Sequence, residues 1–224
     1  MEGYVELAEI KAEPRFGDIA ILFNPLNPAE RVMRTVKKNS SPREHLANLQ
    51  QVIERQRINS PYIMTLLRYE DDPERLEVKA YFEYPEDRLH DESLLPEEVP
   101  KLFADILQSI CYLQSQKIIH GDIRPEYISF VAAEGRYKLM DRLGDLSVPL
   151  QRQLNNMKHL RPLYLAPLIF NELVNKARKI KQNSYKSELF SLGLICLGAF
   201  RSPETLQDFF NVDEKRFEEE AFCE

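Results

Sequence analysis

Ile118–Phe130 reads IIHGDIRPEYISF, and a few residues on Tyr137–Asp141 reads YKLMD. Upstream, Val99–Ser115 carries Leu102, Phe103, Ile106, Leu107, Ile110 and Leu113 at helical spacing, so a helix leads into the quoted run. Downstream come LRPLYLAPLIF (Leu160–Phe170) and YKSELFSLGLICL (Tyr185–Leu197), the second a helix candidate. The first third reads differently. Tyr4–Ile10 alternates, Ile19–Phe23 is a short apolar run, and Arg31–Lys37 is strand-like. Pro25 and Pro28 enforce a turn between the last two. Pro42 to about Ile58 predicts a helix with Ser41 as cap, Pro42 at its first position, and Leu46, Leu49, Val52 and Ile53 as its apolar face. Ile63–Arg68 and Leu76–Glu83 predict two more strands around the acidic turn EDDPE. A small sheet with one helix, then a mostly helical part, is an α+β plan in two lobes. The boundary falls at Glu83–Glu86.

Composition narrows the function classes. The chain has 224 residues, 43% hydrophobic and 29% charged, enough for a packed core and too apolar for wholesale disorder. Its longest strongly apolar stretch, Leu189–Phe200, is too short to cross a bilayer. The N-terminus lacks the basic-then-apolar pattern of a signal peptide. A soluble intracellular protein is expected. Cys111, Cys196 and Cys223 are too few and scattered for a disulfide framework or a zinc site, and two sit in apolar runs as expected core thiols. The net charge of -6 argues against nucleic-acid binding. That average hides two blocks. Glu204–Glu224 holds eight acids against Lys215 and Arg216, while Asn171–Lys186 holds Lys176, Arg178, Lys179, Lys181 and Lys186 against Glu172.

Taken in order, the quoted strings resemble the protein kinase family. HGDIRPEYI is similar to the catalytic loop HRDxKPENI, YKLMDRL to the strand entering DFG, RPLYLAP to the TPxYLAPE turn, and SELFSLG to SDVWSLG. NSPYIMTL resembles the segment after the αC helix, and AYFEYPEDRL the hinge, with Phe82 in the gatekeeper position beside Glu83. The resemblance covers roughly Tyr4–Phe200. It implies a bilobal kinase-like fold: an N-lobe over residues 1–84, a C-lobe over 85–200 that looks truncated, and an acidic C-terminal segment over 201–224.

Phosphoryl transfer by that fold requires a lysine on the ATP phosphates, a glutamate on αC to steady it, metal ligands, and an aspartate to accept the substrate proton. By resemblance, Asp122 holds the general-base position, and Arg124 is the basic residue of a Ser/Thr-style catalytic loop. Arg34 stands where the lysine belongs, with Lys37 as a substitute, and Gln51 stands for the αC glutamate. Arginine keeps the charge, but its planar fork replaces an ammonium poorly. Tyr127 replaces the magnesium-binding asparagine. In one register DFG becomes Asp141-Arg142-Leu143, keeping a carboxylate for one metal; in the other it becomes Arg142-Leu143-Gly144 and loses it. The phosphate-covering loop is KAEPRFGD, with Gly17 as its only glycine and with Glu13 and Asp18 to repel a triphosphate. Gly121 replaces the arginine of HRD, Arg161 the threonine of the TPxY turn, and Leu168 the glutamate of APE.

These losses imply a pseudokinase: a fold kept for binding or scaffolding, without a cofactor. The alternative is an active, divergent Ser/Thr-type kinase using Mg-ATP, Asp122, Asp141 and Arg34. Lys176, Arg178, Lys179 and Lys181 are expected on an added surface loop facing an acidic partner. About two dozen strongly acidic residues follow Phe200. Through Leu206, Phe209, Phe210, Val212, Phe217 and Phe222 they can supply one or two amphipathic pieces, but not the family's usual helical cover. The Glu188 helix is therefore expected to be undercovered and a protein partner to pack against the lower lobe.

Overall fold

The computed structural model describes residues 3–13, 17–84, 87–88, 94–121, 123–140, 164–174, 184–201, 206, 208–211, 216–218 and 220. Asp122, Asp141, and the basic residues Lys176, Arg178, Lys179 and Lys181 lie outside them. The chain divides into two compact units, the first comprising Met1–Glu86 and the second beginning at Asp87.

The first unit is a five-stranded antiparallel sheet with one helix. Strands β1 (Val5–Glu13), β2 (Gly17–Asn24), β3 (Asn27–Lys38), β4 (Leu66–Asp72) and β5 (Glu77–Glu83) pair in the order β1-β2-β3-β5-β4. The β2–β3 hairpin closes at the predicted Pro25 turn, with Asn24 facing Asn27. Gly17 opens β2 at φ +72, and a Cβ there would sit 2.2 Å from the Val36 carbonyl oxygen, so only glycine fits.

Helix α1 (Pro42–Arg55) packs on β4 and β5. Its cap is the predicted one: Ser41 Oγ accepts from the Glu44 N–H at 3.3 Å. Glu44 in turn accepts from the Ser40 N–H at 2.9 Å. Its buried face is not the predicted one. His45, Asn48 and Arg55 are buried, whereas Leu46 is 64% exposed and Ile53 37%. The segment leading into β4 offers this helix a carbonyl and β4 itself a carboxylate, and polar side chains meet them. Arg55 donates to the Met64 carbonyl and His45 bonds Asp71.

In the second unit, helix α2 (Val99–Ser115) has the predicted bounds and buries Leu102, Ile106, Ile110 and Leu113. It packs on helix α4 (Ser184–Gly198) and on a hairpin of β7 (Ile128–Val131) and β8 (Arg136–Leu139), which β6 (Asp87–Arg88) extends. Asp105, buried on α2, accepts the Tyr137 N–H at 2.9 Å and so fixes the hairpin to the helix. Helix α3 (Pro167–Val174) precedes α4. Cys111 is exposed, against the expectation of a core thiol, because it lies off the buried stripe of α2. Burial pushes the Cys196 thiol up to about 11.

The expectation of an undercovered α4 is half met. Leu192, Leu194 and Ile195 are buried, while Leu189 is 43% exposed and Phe200 64%. Leu206 lies against Gly198 of α4, and Leu206, Phe209 and Phe210 are all buried, with Phe210 opening a small ladder of β9 (Phe210–Asn211) and β10 (Arg216–Phe217). The Phe210 ring lies 5.3 Å from Phe170 and 5.3 Å from Phe217, and Phe217 lies 6.4 Å from Phe190. These edge-on contacts are a favourable aromatic arrangement. The acidic segment thus contributes phenylalanines to the core of the second unit.

Candidate functional site

Cross-strand partners in an antiparallel sheet share a face, so register places each candidate of the first unit. Met33 pairs with Ile21 and with Phe82, which Leu66 also faces. Thr35 pairs with Ile19 and Ala80. This is the face on which α1 packs, since Asp71, the partner of Val78, accepts from His45. Phe82 is fully buried there, at 1% exposure.

Arg34 lies on the other face. It pairs with Ala20 and Tyr81, and Tyr81 pairs with Arg68. Its guanidinium bonds Glu6 of β1 at 3.0 Å, and Arg68 covers the Tyr81 ring at 4.3 Å. Burial first, then the neighbouring Glu70, raises the Tyr81 phenol above its ordinary range. Ala20, Leu22, Val32 and Tyr81 form a small core on this side. Glu83 also falls on this side, opposite Val32, and its carboxylate accepts from the Thr65 N–H at 2.8 Å.

One residue along a strand exchanges faces, so Arg34, the residue at the family's lysine position by resemblance, lies on the face opposite Phe82. Its neighbour Thr35 lies on the Phe82 face. Lys37 is on that face too, but opposite Val78, four residues from Phe82 along β5, or about 13 Å. Gln51, half-buried on α1, has its side-chain oxygen buried with no hydrogen-bond partner among the described residues.

The residues flanking Asp122 form a tightly bonded core in the second unit. His120 is fully buried and its Nε2 lies 2.8 Å from the Met140 carbonyl oxygen. Gly121 adopts φ +75, and its N–H donates to Glu188 Oε1 at 2.8 Å. Glu188 is buried at the start of α4, and burial pushes its carboxyl up to about 7 against the opposing pull of the Gly121 and His120 amides. Sequence reading passed over Glu188; its signal was an acid inside an apolar helix.

Arg124 is half-buried over the Tyr127 ring at 5.5 Å. Tyr127 is itself buried in a short 3-10 turn, 6.2 Å from the His120 ring, and its carbonyl oxygen accepts the Met140 N–H at 2.6 Å. The ring at the metal-asparagine position is thus part of the packing. Further on, Ser191 of α4 donates to the Tyr164 carbonyl at 2.6 Å, tying the LYLAP turn to that helix. Among the described residues no group of acids, histidines or cysteines is placed to hold a metal ion, and no helix is long and apolar enough to cross a membrane.

Comparison with known proteins gives the context for this geometry. The model of the protein kinase domain matches residues 16–219. Serine/threonine-protein kinase 36 of Pongo abelii is 28% identical over 87% of this chain and 14% of its own length. The membrane-associated tyrosine- and threonine-specific cdc2-inhibitory kinase wee-1.3 of Caenorhabditis elegans is 33% identical over 47% of the chain and 14% of its own length. Serine/threonine-protein kinase GRIK1 of Arabidopsis thaliana is 30% identical over 45% of the chain and 26% of its own length. The matches therefore span about a quarter or less of these relatives.

Proposed function

Because the chain belongs to the protein kinase family, we propose that it is a member kept for binding, a pseudokinase-like scaffold with little or no phosphoryl transfer. The observation that carries this reading is the make-up of the Phe82 face. The rows nearest Phe82 are Ile21–Met33–Phe82 and Ile19–Thr35–Ala80, and neither offers a cation to a triphosphate. The arginine that does is turned to the opposite face and engaged with Glu6. Phosphoryl transfer depends on placing charge around the transferring group. Packed Tyr127, in place of a metal-binding amide, supports the same reading. No nucleotide cofactor is needed by such a protein.

The test is thermal unfolding with millimolar Mg-ATP. A ligand of the native state must raise Tm, so the expected shift is nil; a rise of several degrees would refute the proposal. Lys37 favours the alternative, an active divergent Ser/Thr-type enzyme with Asp122 as base and Asp141 on the metal, because it shares the Phe82 face. Magnesium-dependent transfer lost in both Lys37→Ala and Asp122→Asn would establish it.

A scaffold needs partners. The exposed Leu189 and Phe200 on and just after α4 support a protein partner at the second unit. The Lys176, Arg178, Lys179 and Lys181 block suits an acidic one.

A further inference from the structure

Helix α1 carries Gln51 where the family resemblance puts the ion-pairing glutamate, and Arg34 bonds Glu6 on the other face of the sheet, yet the buried face of the helix is polar. Each hydrogen bond of that face has a direction. Asn48 Nδ2 donates to Asn39 Oδ1. Asn39 Nδ2 donates to the Leu76 carbonyl at 2.8 Å, where the Asn39 backbone N–H also arrives at 2.9 Å. The same Nδ2 lies 3.3 Å from His45 Nδ1, with the Lys37 carbonyl the most distant of its contacts at 3.4 Å. His45 Nε2 lies 2.7 Å from Asp71 Oδ1.

An amide nitrogen has two protons and no acceptor capacity, so one proton goes to Leu76 and the other faces His45. His45 Nδ1 must then be the acceptor, and Nε2 must carry the proton given to Asp71. Turning the Asn39 amide over would set its oxygen against the Leu76 carbonyl and its nitrogen against that of Asn48. The directions are therefore locked together. Leu76 presents its carbonyl from φ +53, a left-handed conformation uncommon for a side-chain-bearing residue. The charged groups on the sheet face beside His45 are Asp71 of β4 and Lys37 of β3, which meet across Val78.

We infer that a one-way relay, Asn48 to Asn39 to neutral His45 to Asp71 with a branch to Leu76, latches α1 to the sheet in place of an ion pair. The helix is thereby held by the chain itself, without nucleotide. The four histidines of the chain make a direct measurement simple. In imidazole nitrogen spectra of the whole protein at pH 7, with His45 assigned through His45→Gln, His45 should show a proton on Nε2 and none on Nδ1. The opposite tautomer, a doubly protonated ring or averaging between tautomers overturns the relay. Asn39→Asp keeps the volume but cannot donate. In that variant Nδ1 should become protonated, and amide exchange in α1 should quicken about tenfold or more, the worth of a lost buried hydrogen bond. Exchange in α2, in the other unit, should not change. Unaltered exchange in α1, or a rise of the same size in α2, overturns the latch.

Discussion

Position 188 places a glutamate where the family string has an aspartate, and the longer acid still reaches the Gly121 amide at 2.8 Å. Its carboxyl titrates near 7 in the folded chain and near 4.3 when unfolded. A folded value above the unfolded one means that the native state binds the extra proton. The favourable contribution is complete below the unfolded value and disappears as pH rises through about 7. Glu188→Gln keeps an acceptor for Gly121 and removes the charge. Its stability advantage over the parent should be near zero at pH 4.5 and on the order of 3 kcal/mol at pH 8, by urea denaturation at both. Next to it, Gly121 holds φ +75. Restoring the family arginine there, Gly121→Arg, places a Cβ in the left-handed region and should cost about 1–2 kcal/mol. Equal stability of parent and variant would show that the turn relaxes.

At the scale of the element, α1 separates what periodicity can reveal from what it cannot. Ser41 and Pro42 announced its start because capping chemistry is local. Ser41→Ala should cost about 0.5–2 kcal/mol, read as a lower urea midpoint at unchanged slope. Its buried face was not legible. Of the apolar stripe, Leu46 and Ile53 are exposed while Leu49 and Val52 are half-buried. The network that holds His45 and Asn48 closes on residues no helical period can point to: Asn39 before the cap, Asp71 on β4, and Leu76, which Asn39 engages. Strand pairing carried the same lesson for Arg34. Motif order located β3, but it does not say which face each side chain takes, because a step of one residue along a strand reverses the face. Facing follows only from the pairings with β2 and β5.

At the scale of the molecule, the succession of a sheet with one helix and then a helical part was readable, because hydrophobic period changes from two to near four along the chain. The apolar residues of the C-terminal segment were readable too, since Leu206, Phe209, Phe210 and Phe217 stand out among its eight acids, and the first three are buried. Which rings they meet was not readable, because Phe170 and Phe190 lie on other helices. Phe210→Ala removes the ring that joins Phe170 to Phe217. A loss of about 3–5 kcal/mol is expected, measured as a fall in the denaturation midpoint of the second unit. A change under about 0.5 kcal/mol, the usual range of a surface substitution, would mean that the ladder lies loosely on the helices.

Gly17 gives the family resemblance an unexpected twist. Scored as a letter in a glycine-rich phosphate loop, it counts toward nucleotide competence. Here the Val36 carbonyl, 2.2 Å from where a Cβ would be, excludes every other residue whether or not a phosphate is ever bound. A comparison that tallies surviving motif letters would credit this chain with a remnant of chemistry, when the same glycine is demanded by the closeness of two strands.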